Sequence, residues 1–146
     1  MKENMTLTLS DPDARRIFEQ HLISEFAVEN IRAWEEITLW KQQYPKLPMK
    51  SRIASARHIY LVFIPSSAYL CVNVEAATRH ELIDLFDLTD EELAAKISPD
   101  SFERVLKDVH GMMLGSFQRF QASMQFKQQQ HVSTMISPAR THSNLT

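Results

Sequence analysis

Only two glycines, Gly111 and Gly115, occur in the whole chain of 146 residues, where an average composition supplies roughly 7%. Sandwiches and barrels turn at many positions with positive φ, the conformation that glycine adopts without steric penalty. A chain this poor in glycine is expected to be all-α. Its length suits one domain with a core of its own and is short for two. Hydrophobic residues make up 44% and charged residues 23%, a balance that speaks against wholesale disorder.

Charge excludes further classes. Lysine and arginine number 16 and aspartate and glutamate 18, a net charge of −2. That balance gives no electrostatic ground for a nucleic-acid partner or a polybasic membrane-binding face. The single cysteine, Cys71, cannot close an internal disulfide and fits a reducing compartment. The longest uncharged stretch, Ile59 to Val74, contains Pro65 and Asn73 and is too short and too polar for direct membrane insertion. No secretory leader or lipidation motif is evident at either end. The expectation is a cytoplasmic monomer.

Apolar spacing predicts helices throughout. A short lead-in ends at Asp11-Pro12, where Ser10 or Asp11 can cap a helix with proline in its first turn. Phe18, Leu22 and Phe26 form one stripe, and Ile31, Trp34, Ile37 and Trp40 form a second. The stripes are out of phase across Glu25 to Glu29, which predicts two helices meeting at a sharp corner; one bent helix stays open. Tyr44-Pro45 and Leu47-Pro48 stop the second helix.

Ser51 to Ile64 is a further predicted helix, followed by a loop from Pro65 to Glu75. Thr78-x-x-Glu81 and Thr89-x-x-Glu92 both have the spacing of a capping box. Ser98-Pro99-Asp100 starts a last helix bearing Phe102, Val105, Val109, Met113, Phe117 and Phe120. Gly111 and Gly115 are expected to kink or break it. Residues 127–146 are polar and aperiodic, a flexible tail or linker. The sum is a bundle of six to eight helices.

Motifs for intrinsic chemistry are missing. The six histidines lack the spacing of a metal site, so no metal and no cofactor is expected. There is no Gly-x-x-x-x-Gly-Lys for a nucleotide, no Gly-x-Ser-x-Gly elbow, and no base beside Cys71 in sequence. Two asparagines remain conspicuous. Asn30 lies at the corner between the two stripes, and Asn73 lies in the loop between Val72 and Val74. A primary amide offers both a donor and an acceptor and can orient a partner's polar group. It can equally cap a helix or close a turn.

The stretch Phe18-x-x-x-Leu22-x-x-Glu25-Phe26-x-x-Glu29-Asn30-Ile31-x-x-Trp34 resembles the hallmark of the RGS (regulator of G-protein signalling) domain. Ile59-Tyr60-x-x-Phe63-Ile64, then Val72-Asn73-Val74-Glu75 with Thr78-Arg79, and finally Phe117-Gln118-Arg119-Phe120 follow the same pattern. The resemblance covers residues 10–126. It implies an RGS-like fold, a four-helix bundle with a small subdomain of terminal helices. It also implies a non-catalytic GTPase activator that grips the switch segments of a G-protein α subunit (Gα) in the transition state, recruited by that partner to the inner face of the plasma membrane.

Residue by residue, it implies that Phe26, Glu29 and Asn30 meet the partner's active site and that Asn73 and Glu75 touch another switch segment. Gly115 belongs to a third contact region, and Arg119, with Ser116 nearby, matches an arginine that braces the loop carrying the contacts. Phe18, Leu22, Trp34, Tyr60, Phe63 and Phe120 match core positions. Three departures stand out: Ala27 where the family commonly has a capping serine, Gly115 where it has an acidic or small polar residue, and Gly111 where it has leucine. Two alternatives stay open, the first motivated by Gly111 and Gly115 and the second by an adaptable methionine face. One is an RGS-like docking module that does not accelerate hydrolysis. The other is a bundle that self-associates through Met112, Met113 and Phe117.

Overall fold

A computed structural model describes the backbone of residues 2–145 and the side chains of residues 5–124 and 127. Among the described residues there are seven α-helices and no strand: α1 (Lys2–Ser10), α2 (Pro12–Ser24), α3 (Val28–Gln43), α4 (Met49–Phe63), α5 (Ala76–Phe86), α6 (Asp90–Lys96) and α7 (Glu103–Leu145). A 3-10 turn, Tyr44–Lys46, follows α3. The all-α expectation from scarce glycine holds. The chain divides into a central unit, Leu22–Met113, and a terminal unit made of Met1–His21 with Leu114–Thr146.

The two out-of-phase stripes fall on two helices, Phe18 and Leu22 on α2 and Ile31, Trp34, Ile37 and Trp40 on α3. Phe26, expected to extend the first stripe, instead lies exposed in the turn between them. In the central unit Ile31, Ala33, Ile37 and Trp40 line the buried side of α3, and Ile53, Ala56, Ile59 and Phe63 that of α4. An aromatic run continues the core, with Trp40 edge-on to Tyr44 and Phe102 at 5.2 and 5.3 Å, and Phe102 stacked on Phe86 at 5.6 Å. Polar tips inside it are satisfied: Trp40 Nε1 donates to Arg52 O at 3.1 Å, and the Tyr44 hydroxyl donates to Ile97 O at 3.2 Å. Of the expected core positions in this unit, Leu22 and Phe63 are fully buried, while Trp34 and Tyr60 are half-buried.

Arg57 fastens α4 to the α5–α6 junction by donating to Phe86 O, Leu88 O and the Asp90 carboxylate. Lys41 of α3 reaches Glu103 at 2.8 Å and Asp100 at 3.3 Å. These carboxylates hold its ammonium above the ordinary lysine range, the hydrogen bond to Glu103 contributing most. The Thr89 capping box forms as expected. Its hydroxyl accepts from Glu92 N–H at 3.2 Å, and the Glu92 carboxylate accepts from Thr89 N–H at 3.1 Å. The second of these bonds leads in pulling the Glu92 carboxyl below its ordinary value of 4.5.

Four expectations are corrected. The lead-in is itself a helix, α1, which buries Met5 and Leu9; one i, i+4 pair is too little periodicity to reveal a helix in advance. The Thr78 capping box does not form, because α5 already starts at Ala76 behind Glu75, leaving Thr78 buried inside the first turn. The last helix starts at Glu103 rather than at Pro99, because Ser98 to Phe102 form a turn closed by Ser101 N–H on Ser98 O. Gly111 and Gly115 do not interrupt α7. Val105, Val109 and Met113 recur every four residues, all fully buried, and that anchoring outweighs roughly 1 kcal/mol lost per glycine.

In the terminal unit Phe18 is fully buried, with Phe117 edge-on at 5.3 Å and the half-buried Phe120 at 5.5 Å. Arg15 ties α2 to α1 by donating to Leu9 O at 2.8 Å. The stretch expected as a tail, residues 127–146, carries helical backbone to Leu145. Thr146, and the side chains after Lys127, lie outside the described residues.

Candidate interaction surface

The corner between α2 and α3 is a Schellman turn built without glycine. Ala27 N–H donates to Leu22 O at 2.9 Å and Phe26 N–H to Ile23 O at 3.1 Å, the paired 6→1 and 5→2 bonds that end a helix through one left-handed residue. That residue is Phe26, with φ of 56°. Glycine usually sits there because an L side chain costs roughly 1–2 kcal/mol in this region. Phe26 recovers none of that cost by burial, since its ring is 93% exposed. An aromatic side chain is held in water at a strained position.

Immediately after it, α3 starts without a side-chain cap. Ala27 is the N-cap and has no side-chain oxygen to accept from the first turn. Half-buried Glu29 lies in that turn, where a carboxylate complements the helix dipole. Asn30 is unlike the exposed contact residue that the sequence suggested: it is 5% exposed. Its Oδ1 is fully buried with no hydrogen-bond partner among the described residues. An unpaired buried acceptor costs about 1–3 kcal/mol.

Asn73 is presented differently. The loop that carries it is pinned to the end of α4 by Leu70 N–H on Val62 O at 3.1 Å and Val72 N–H on Phe63 O at 2.9 Å. Val72 and Val74 turn into the core and Asn73 between them faces out, exposed. Glu75, also exposed, is the N-cap of α5, and its N–H donates to Asp108 at 3.2 Å. Asn30 and Asn73 therefore sit on elements of one core: Ala33, one turn beyond Asn30 on α3, shares a buried cluster with Val72 and Val74.

In the terminal unit, Gly115, Ser116 and Arg119 occupy one turn of α7. Arg119 is exposed and donates to Ser116 Oγ at 3.3 Å, and Ser116 is 3% exposed. A Cβ on Gly115 would come within 3.7 Å of the Arg119 guanidinium, while one on Gly111 would meet nothing within 4 Å. The region is thus a helix face that offers a guanidinium and bare backbone.

Two features escaped sequence reading. The left-handed Phe26 could have been suspected from a sharp corner in a stretch lacking glycine. The guanidinium of Arg79, which holds the Asn73 loop by bonds to Ile64 O, Val72 O and Cys71 Sγ, left no pattern beyond its place beside Thr78. Among the described residues no three histidine, cysteine or acidic side chains converge as metal ligands. No helix among them is long and apolar enough to cross a membrane.

Comparison with known proteins bears on what such a surface meets. The family described as Regulator of G protein signaling domain matches residues 4–129. Regulator of G-protein signaling 10 of Homo sapiens is 30% identical over 108 residues, covering 68% of this chain and 57% of that protein. Regulator of G-protein signaling 1 of Rattus norvegicus is 27% identical over 113 residues, covering 72% of this chain and 52% of that protein. The matched region is therefore a little over half the length of these relatives.

Proposed function

Because the chain belongs to the regulator of G protein signaling domain family, we propose that it is a GTPase-activating protein for heterotrimeric G-protein α subunits. It supplies no reacting group. A Gα subunit carries its own arginine and water-orienting glutamine in cis, so an activator needs only to bind the switch segments better in the transition state than in the ground state. A hundredfold acceleration takes about 2.7 kcal/mol of such preference.

The observation that carries this reading is the α2–α3 corner. Strained backbone and unpaired buried polar atoms gather where they serve a function, and here an outlying aromatic ring and an unpartnered amide oxygen lie four residues apart. Phe26 and Glu29 flank the point of contact, and Asn30, whose Oδ1 is buried in the free chain, turns that oxygen to a partner's donor only on binding. Asn73 and Glu75 engage a second switch segment, and the turn Gly115, Ser116 and Arg119 adds a third contact. Membrane proximity comes from the partner.

Single-turnover GTP hydrolysis by a panel of purified Gα subunits tests this. The full chain is expected to accelerate at least one of them, and unchanged hydrolysis across the panel overturns the reading. A second reading, docking without acceleration, is favoured by one observation: Gly111 is exposed beside open space, so α7 offers no side chain there to grip a switch segment.

A further inference from the structure

We infer that Arg79 is a positioning residue that sets the Asn73 loop for the partner; the inference rests on the activator reading above. The loop leaves α4 at Ile64 and returns to the core at Val72, and the Arg79 guanidinium touches both ends. Nη1 donates to Ile64 O and lies 3.5 Å from Cys71 Sγ, and Nη2 donates to Val72 O at 2.9 Å. One planar group thus closes the loop like a clasp, one residue before Asn73. Its own backbone is fixed in the first turn of α5, where Arg79 N–H donates to Glu75 O at 3.0 Å.

The outgoing and returning ends of this loop are joined to each other by the Arg79 side chain. The loop forms no strand or helix; its returning limb is held by two backbone bonds to Val62 and Phe63 and by the buried side chains of Val72 and Val74 on either side of Asn73. The limb starts beside Tyr69, whose ring is 92% exposed and gives no packing. Two carbonyls pointing at one spot need a donor with two separated N–H groups in a plane, which guanidinium has and ammonium lacks. Arg79 touches no reacting atom; it acts through Asn73.

A double-mutant cycle on single-turnover hydrolysis by Gα distinguishes this from a general role in stability. In the otherwise native chain, Arg79→Lys is expected to lower the stimulated rate ten- to hundredfold, the scale of a contact displaced by about 1 Å. In the Asn73→Ala background the same substitution is expected to change the rate less than about twofold, because the group being positioned is gone. Equal losses in both backgrounds, or no loss in the native one, overturn the inference while leaving the activator reading intact. No stimulation by the native chain overturns both. The same cycle with Arg79→Gln decides the matter where the lysine variant does not fold.

Discussion

In the proposed function Phe26 sets stability against binding within one residue. Asparagine tolerates the left-handed region better than phenylalanine, and removing a ring that is 93% exposed sacrifices almost no burial. Phe26→Asn is therefore expected to stabilise the chain by on the order of 1 kcal/mol, read as a higher urea midpoint, while weakening Gα binding. Asn30 makes the complementary case. Its Oδ1 has no partner among the described residues, so Asn30→Ala breaks no bond made by that oxygen. The variant is expected to keep its stability within about 1 kcal/mol yet lose at least about tenfold in stimulated hydrolysis, the cost of one good contact. A variant that unfolds while the remaining folded fraction stays fully active would make Asn30 a structural residue.

At the scale of elements, α6 and α7 respond to different levers. The Glu92 carboxyl titrates below its ordinary 4.5 in the folded chain, so its contribution is present above that value and lost as pH falls through the depressed one. The stability difference between the native chain and Glu92→Ala is expected to narrow on acidification, and a difference independent of pH would contradict the capping role. In α7, Gly111 stands mid-helix, where an added methyl would meet nothing within 4 Å. Gly111→Ala is expected to raise stability by roughly 1 kcal/mol, checked by thermal unfolding.

The elements also separate what could be read in advance from what could not. The α2–α3 corner and the Thr89 box were legible, the first because two apolar stripes change phase and the second because it needs only residues three apart. The Thr78 box was not, since identical spacing inside α5 is overridden by where the helix begins. The path of α7 through both glycines follows from buried Val105, Val109 and Met113, whose anchoring a propensity scale does not contain. The candidate site residues come from family resemblance, which does not give their environments: an amide's burial and a residue's sign of φ depend on neighbours distant in the chain.

For the molecule as a whole, the proposed function rests on preference between two states of a partner. A net charge of −2 gives no long-range attraction to a particular sign of surface, so recognition falls to short-range fit. In the proposed function, exposed Phe26 and outward-facing Asn73 read the arrangement of mobile segments. The direct test compares the affinity of the full chain for one Gα subunit loaded with GDP alone and with GDP plus aluminium fluoride, which mimics the transition state. Binding is expected to be about a hundredfold tighter or more in the fluoride complex, the equivalent of ~2.7 kcal/mol. Equal affinity for the two forms would contradict activation by transition-state preference.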